Sequence, residues 1–205
     1  MNDVIAMISQ EKLSNISYAL KNGLLIVYPT DTLYGIGADI FNKQAVEKVF
    51  LVKQRPHEMP LPIGISAINK IDTIAYMSPL AEKIASFFLP GSLTLILKQK
   101  ALPTWIQSSK GTIAIRIPND PIALQILSHT GPLTITSANV HNQSTPLLIK
   151  DISKMFKSND IALFIDDGIR CGNASTIVDC TTHTPIIIRQ GSISPDEIDS
   201  VVNDK

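Results

Sequence analysis

An α/β fold, with helices packed on a twisted mixed sheet, is predicted by three features of this sequence. Hydrophobic residues make up 44% of the 205 and charged residues 18%, enough to bury one substantial core. Aromatics supply only 5%, so Ile, Leu, Val and Ala must build that core, and the β-branched members favour strands. Short apolar runs of strand length interleave irregularly with segments of helical periodicity. No repeat, low-complexity tract or linker divides the chain, so a single domain over residues 1–205 is expected, with its core at about 5–195.

The elements follow in order. Ile5 to Asn22 reads as an amphipathic helix closed by Gly23. Leu24 to Tyr28 is a buried strand, and Pro29 to Gly37 a loop of hydroxyls and glycines. Asn42 caps a second helix whose apolar residues Ala45, Val46, Val49, Phe50 and Val52 keep a 3.6 period until Pro56. A Pro-rich strand region covers Pro60 to Ser66, and a helix covers Leu80 to Phe88. After a Pro90-Gly91 turn come strands at Leu93 to Leu97 and Thr112 to Ile117, then a helix at Asp120 to His129. Leu133 to Thr136 is a strand running into a Ser-Ala-Asn loop. A short helix at Lys150 to Phe156 and strands at Ile161 to Ile165, Ser175 to Cys180 and Pro185 to Arg189 complete the fold, leaving Val201 to Lys205 as a frayed tail.

Several function classes are excluded or disfavoured. Eighteen basic and eighteen acidic residues give zero formal charge, so no global positive field draws nucleic acid. Two cysteines, Cys171 and Cys180, make no disulfide framework. No secretory leader and no apolar run of membrane-spanning length is read, so a cytoplasmic protein without membrane association is expected. The phosphate-cradling Gly-x-x-x-x-Gly-Lys-Ser/Thr loop is missing, and Gly35-Ile-Gly37 fails the dinucleotide fingerprint. His57, His129, His141 and His183 lack metal-ligand spacing with each other or the cysteines, and no nucleophile elbow is present.

What remains is cations and hydroxyls at element ends. Lys53 and Arg55 close the second helix, and Lys53 shares the inward face of Val49 and Phe50. The pair either complements the helix C-terminus or forms an anion site. Strand alternation places Ile113, Ile115 and Ile117 on one face and Thr112, Ala114 and Arg116 on the other, which lines a pocket or faces water at an edge. Arg189 ends the Ile186 to Ile188 run, and an arginine fork suits carboxylate or phosphate. Ser137 and Asn139 point the same way if their loop is extended, the alternative being a simple polar turn. Ser175 begins a strand that it could simply cap.

Seven of these stretches, in order, resemble the YrdC/TsaC family of threonylcarbamoyl-AMP synthases. They are Tyr28 to Gly37, Lys53-Gln-Arg-Pro56 with Pro60-Leu61, Pro90 to Leu97, Ala114 to Pro118, Thr136 to Asn139, Ser175 to Asp179 and Ile188 to Gly191. The resemblance implies a twisted, mostly parallel sheet flanked by helices, with a concave, positively charged cavity. It implies that L-threonine, bicarbonate and ATP, with Mg²⁺, give threonylcarbamoyl-AMP and pyrophosphate, and that partner enzymes pass the group to adenosine 37 of tRNA. By matching position it implies that Arg55, Ser137 and Arg189 contact ATP, with Thr112 and Thr145 as lesser nucleotide contacts. It assigns Thr32, Arg116 and Ser175 to threonine, Arg116 pairing the carboxylate, and sets Lys53 and Asn139 around the phosphates.

The sequence departs from the family pattern at Met59, where Lys or Asn is frequent, and at Gly64, where many members have His. Ser92 replaces the usual Pro, and Val140-His141-Asn142 follows Asn139 where x-Ser-Gly is usual. Two competing readings are a non-catalytic double-stranded RNA or tRNA-binding module, and carbamoyl adenylation of the kind performed in hydrogenase maturation.

Overall fold

The computed structural model describes residues 7–106, 108–156 and 160–204. Its first helix, α1 (Gln10–Lys21), starts later than the periodicity predicts. Ser9 stays extended and its hydroxyl accepts from the Lys12 amide, so the cap stops the helix from extending backward; Ile5 itself lies outside the described residues. Strand β1 (Leu25–Tyr28) is wholly buried. The expected loop after it contains a strand, β2 (Gly35–Gly37), antiparallel to β1. A Cβ on Gly37 would stand 2.9 Å from both the Ile26 and Tyr28 side chains, so only glycine allows that close pairing.

Helix α2 (Lys43–Lys53) is capped as expected by Asn42, whose side chain accepts from the Ala45 amide. It ends on a left-handed Gln54, before Pro56 is reached. The Pro-rich region shrinks to a two-residue strand, β3 (Ile63–Gly64), because Pro60 and Pro62 have no amide to give a ladder. A 3-10 turn (Ile68–Thr73) and the short β4 (Ala75–Tyr76) come next, followed by α3 (Pro79–Phe88) capped by Ser78. The central hairpin is β5 (Leu93–Gln99) with β6 (Thr112–Arg116), and α4 (Pro121–Thr130) starts from an Asp120 cap.

The single strand expected at Leu133 to Thr136 is two strands, β7 (Leu133–Thr134) and β8 (Thr136–Ser137). They belong to different sheets. Helix α5 (Ile149–Met155), β9 (Ile161–Phe164), β10 (Thr176–Asp179) and β11 (Ile186–Arg189) match their sequence signals closely. The expected frayed tail is instead part of α6 (Pro195–Asn203), which a Ser194–Glu197 capping box starts and whose Ile198 and Val201 are buried. Amphipathic spacing of those two residues, rather than nearness to the terminus, decides its order. Lys205 lies outside the described residues.

The strands form two sheets, β8-β2-β1-β9 and β11-β10-β5-β6-β3-β7, with β4 paired to β5. The mixed α/β class is as predicted, but the sheet is not mostly parallel. Among the described residues only β1–β9, β10–β5 and β3–β6 run parallel, and the other six ladders are antiparallel. Strand alternation splits β1 between two cores. Ile26 and Tyr28 pack with α1 and α4, whereas Leu25 and Val27 enter the larger core with α2, α3 and the β5–β6 hairpin. At the end of β1 the chain leaves the core and becomes the wall of a cavity.

Candidate functional site

The cavity, about 460 Å³, is built where strand and helix ends from both sheets converge. The loop after β1 supplies Thr30, Thr32 and Tyr34, the turn after α2 supplies Arg55 and Glu58, and β8 supplies Ser137. The large sheet contributes Thr94, Ala114, Arg116, Ile177 and Arg189, while Thr145 and Ser175 come from loops. Of the ten candidate residues, Thr32, Arg55, Arg116, Ser137, Thr145, Ser175 and Arg189 line this one space.

Each arginine is held from behind. Arg116 is 6% exposed; its Nη2 donates to Asp31 Oδ1 at 2.8 Å and its Nε to the Gly91 carbonyl at 3.3 Å. The prediction that Arg116 sits on the small, polar face of β6 holds, since Ile113, Ile115 and Ile117 are buried opposite while Ala114 and Arg116 line the cavity. Arg189 donates from Nε and Nη2 to the Ser175 carbonyl at 3.3 and 2.8 Å, and from Nη2 to Ser175 Oγ at 3.3 Å. Arg55 folds onto its own turn, bonding the carbonyls of Met59 and Pro60 at 3.1 and 3.0 Å. Burial lowers the pKa of all three guanidiniums, and for Arg189 the charge of Arg116 adds to the lowering. They remain charged at neutral pH, because guanidinium starts far above it.

Three candidates stand off the wall. Lys53 is 2% exposed, and its Nζ donates to the carbonyls of Ser137 and Asn139 and to Asn139 Oδ1, the latter two at 2.8 and 3.3 Å. Asn139 turns its amide nitrogen to the carbonyls of Val140 and Gln143, and its Oδ1 accepts from Ser137 Oγ at 2.6 Å. Lys53 and Asn139 thus knot the loop that presents Ser137. Thr112 lies at the far end of β6, where its hydroxyl meets Ser108 Oγ at 2.9 Å. Of the four departures from the family pattern, Met59 lines the cavity while Gly64 is buried in β3. Ser92 accepts the Thr176 amide through its carbonyl, and His141 donates its amide to the Lys53 carbonyl.

Thr94 is a wall residue that sequence reasoning missed. Its hydroxyl lies 2.9 Å from Ser175 Oγ, and both groups are almost fully buried. Alternation within the Leu93 to Leu97 run was the available signal, because it turns Thr94 and Ile96 away from the core-facing leucines. Among the described residues no group of three His, Cys, Asp or Glu could hold a metal, and Glu58 is the one acidic side chain on the wall.

Arginines and hydroxyls from the strand ends of two sheets thus line one cavity of an α/β domain. The comparisons with known proteins place this domain in a family. The Sua5/YciO/YrdC family model, described as telomere recombination, matches residues 18–191. The chain belongs to the Sua5/YciO/YrdC family. A threonylcarbamoyl-AMP synthase from Pyrococcus abyssi is 33% identical over 189 residues, covering 90% of this chain and 55% of that one. The crystal structure of P. abyssi Sua5 complexed with L-threonine superposes with a TM-score of 0.89 at 31% identity, over 97% of this chain and 59% of that one. A Bacillus subtilis threonylcarbamoyl-AMP synthase is 32% identical over 188 residues, 89% of this chain and 54% of that one. The chain therefore spans little more than half the length of these relatives. Escherichia coli YciO is similar at full length: its crystal structure gives a TM-score of 0.86 at 25% identity, over 94% of this chain and 95% of that one.

Proposed function

We propose that this protein is a threonylcarbamoyl-AMP synthase, which makes threonylcarbamoyl-AMP and pyrophosphate from L-threonine, bicarbonate and ATP for the modification of adenosine 37 in tRNA. The observation that carries this reading is the gathering of three arginines and a set of hydroxyls on one wall. Arg189 reaches Ser175 from β11, Arg116 on β6 is close enough to Arg189 for their charges to interact, and Arg55 and Ser137 line the same cavity. Relatives of this name, one of them solved with L-threonine, support it.

The chemistry suits such a wall. A carbamate oxygen attacks the α-phosphorus of ATP and pyrophosphate leaves, so negative charge gathers on phosphoryl oxygens and needs fixed cations more than a protein nucleophile. Arg55, Ser137, Thr145 and Arg189 hold the nucleotide, while Thr32, Arg116 and Ser175 hold threonine, with Arg116 paired to its carboxylate. Lys53 and Asn139 act one layer back by fixing the Ser137 loop. Thr112, at the far end of β6 and off the cavity wall, stands outside this set. Glu58, the one acidic side chain on the wall among the described residues, would be the residue to hold Mg²⁺ carried in with ATP, an ion that binds through phosphates and few carboxylates and would neutralise phosphate charge.

The test is pyrophosphate release with each substrate omitted in turn. Release that needs L-threonine, bicarbonate and ATP together is expected. Turnover of ATP indifferent to threonine would reject the synthase, and tight, salt-sensitive tRNA binding without nucleotide affinity would favour an RNA-binding module. Among the described residues no helix is long and apolar enough to cross a membrane.

A further inference from the structure

We infer that Asp31 is a positioning residue for amino-acid recognition, acting through Arg116; the inference rests on the synthase reading above. Asp31 does not line the cavity. Its neighbours Thr30 and Thr32 do, so the bend sets the residues on either side of Asp31 at the wall while the Asp31 carboxylate lies behind it. That carboxylate meets Arg116 Nη2 at 2.8 Å, where the two side chains are only 15% and 7% exposed.

The geometry assigns the two edges of the guanidinium different tasks. Nε and Nη2 are occupied by the Gly91 carbonyl and Asp31, whereas Nη1 has no protein partner among the described residues and is not sealed from solvent. One edge is therefore pinned and the other left for a ligand oxygen. The turn carrying Asp31 is itself braced. Thr30 Oγ1 accepts from the amides of Thr32 and Leu33 at 3.2 Å each, and the Thr32 carbonyl accepts from the Gly172 amide at 2.9 Å. A guanidinium cannot shed its proton, so burial here requires a counter-charge. Without one, the group turns toward cavity water and its fork loses the register a carboxylate needs.

Calorimetric titration of wild type, Asp31→Ala and Asp31→Asn with L-threonine and, separately, with ATP tests this. Asp31→Ala is expected to weaken L-threonine binding about tenfold or more, and ATP binding by less than about twofold. Asp31→Asn retains an acceptor for Nη2 and is expected to stay within about threefold of wild type for threonine. Should Asp31→Ala fail to fold, Asp31→Ser, whose hydroxyl falls short of Nη2, is expected to show the same selective loss. Unchanged or tighter threonine binding in the truncated variant overturns the role, as do equal losses for both ligands or an Asn variant as impaired as Ala. Wild type that binds no L-threonine overturns the synthase reading and this inference with it. Wild-type binding matched by Asp31→Ala overturns only the inference.

Discussion

Burial lowers the pKa of the Lys53 ammonium from 10.5 to about 7, with a smaller contribution from the charge of Arg55. Because the folded value lies below the ordinary one, the unfolded chain keeps this proton at pH values where the folded chain has released it. Lys53 therefore adds stability as pH climbs from about 7 toward 10.5 and adds none below about 7. Urea midpoints of wild type and Lys53→Met should diverge in favour of wild type across that window; a constant gap would show that the amine does not titrate there. Arg116→Ala should raise the KM for threonine well above any change in the KM for ATP in the pyrophosphate assay, and equal effects would contradict the assignment of its carboxylate partner. The inward face of Lys53 was legible from its spacing to Val49 and Phe50. Its acceptors were not, because they lie 84 and 86 residues away and only the tertiary fold brings them near.

At the scale of elements, the Asn42 cap and helical periodicity were readable because they are local. Asn42 holds the amide three residues on, and the structure shows Ser78 and Asp120, not read as caps in the sequence, doing the same. The strands β2, β3, β4, β7 and β8 were hidden or blurred because two or three residues carry no period, and their pairing depends on partners far along the chain. The same limit explains why the balance of antiparallel ladders was missed. Helix α6 yields a direct test. Ile198 is fully buried against the main core, and Ile198→Ala should cost about 2–5 kcal/mol in urea unfolding; a negligible loss would mean that the helix is dispensable. The turn that follows β11 provides another. A Cβ on Gly191 would stand 2.0 Å from the Ala174 carbonyl oxygen and 2.5 Å from the Ser175 carbonyl carbon. Gly191→Ala should therefore destabilise by about 3 kcal/mol, and in calorimetry it should weaken ATP binding, since the strain falls on the backbone that receives Arg189.

For the whole molecule, the cavity belongs to neither sheet alone, as Ser137 sits on one while Arg116 and Arg189 sit on the other. A ligand held by both should stabilise the fold as a unit. L-threonine with ATP at about a hundredfold excess over their dissociation constants should raise unfolding free energy by about 2.7 kcal/mol per independent ligand; an unmoved denaturation midpoint would place binding elsewhere or nowhere. The run from Leu133 to Ser137 crosses from the large sheet to the small one within five residues. At the crossing, the Ile135 amide is fastened to the Pro62 carbonyl at 2.9 Å, beside β3. This stretch works as a rivet through two plates. The plates cannot slide past each other without bending the metal at Ile135, so Ser137 and the sheet that carries Arg116 and Arg189 are held in one frame.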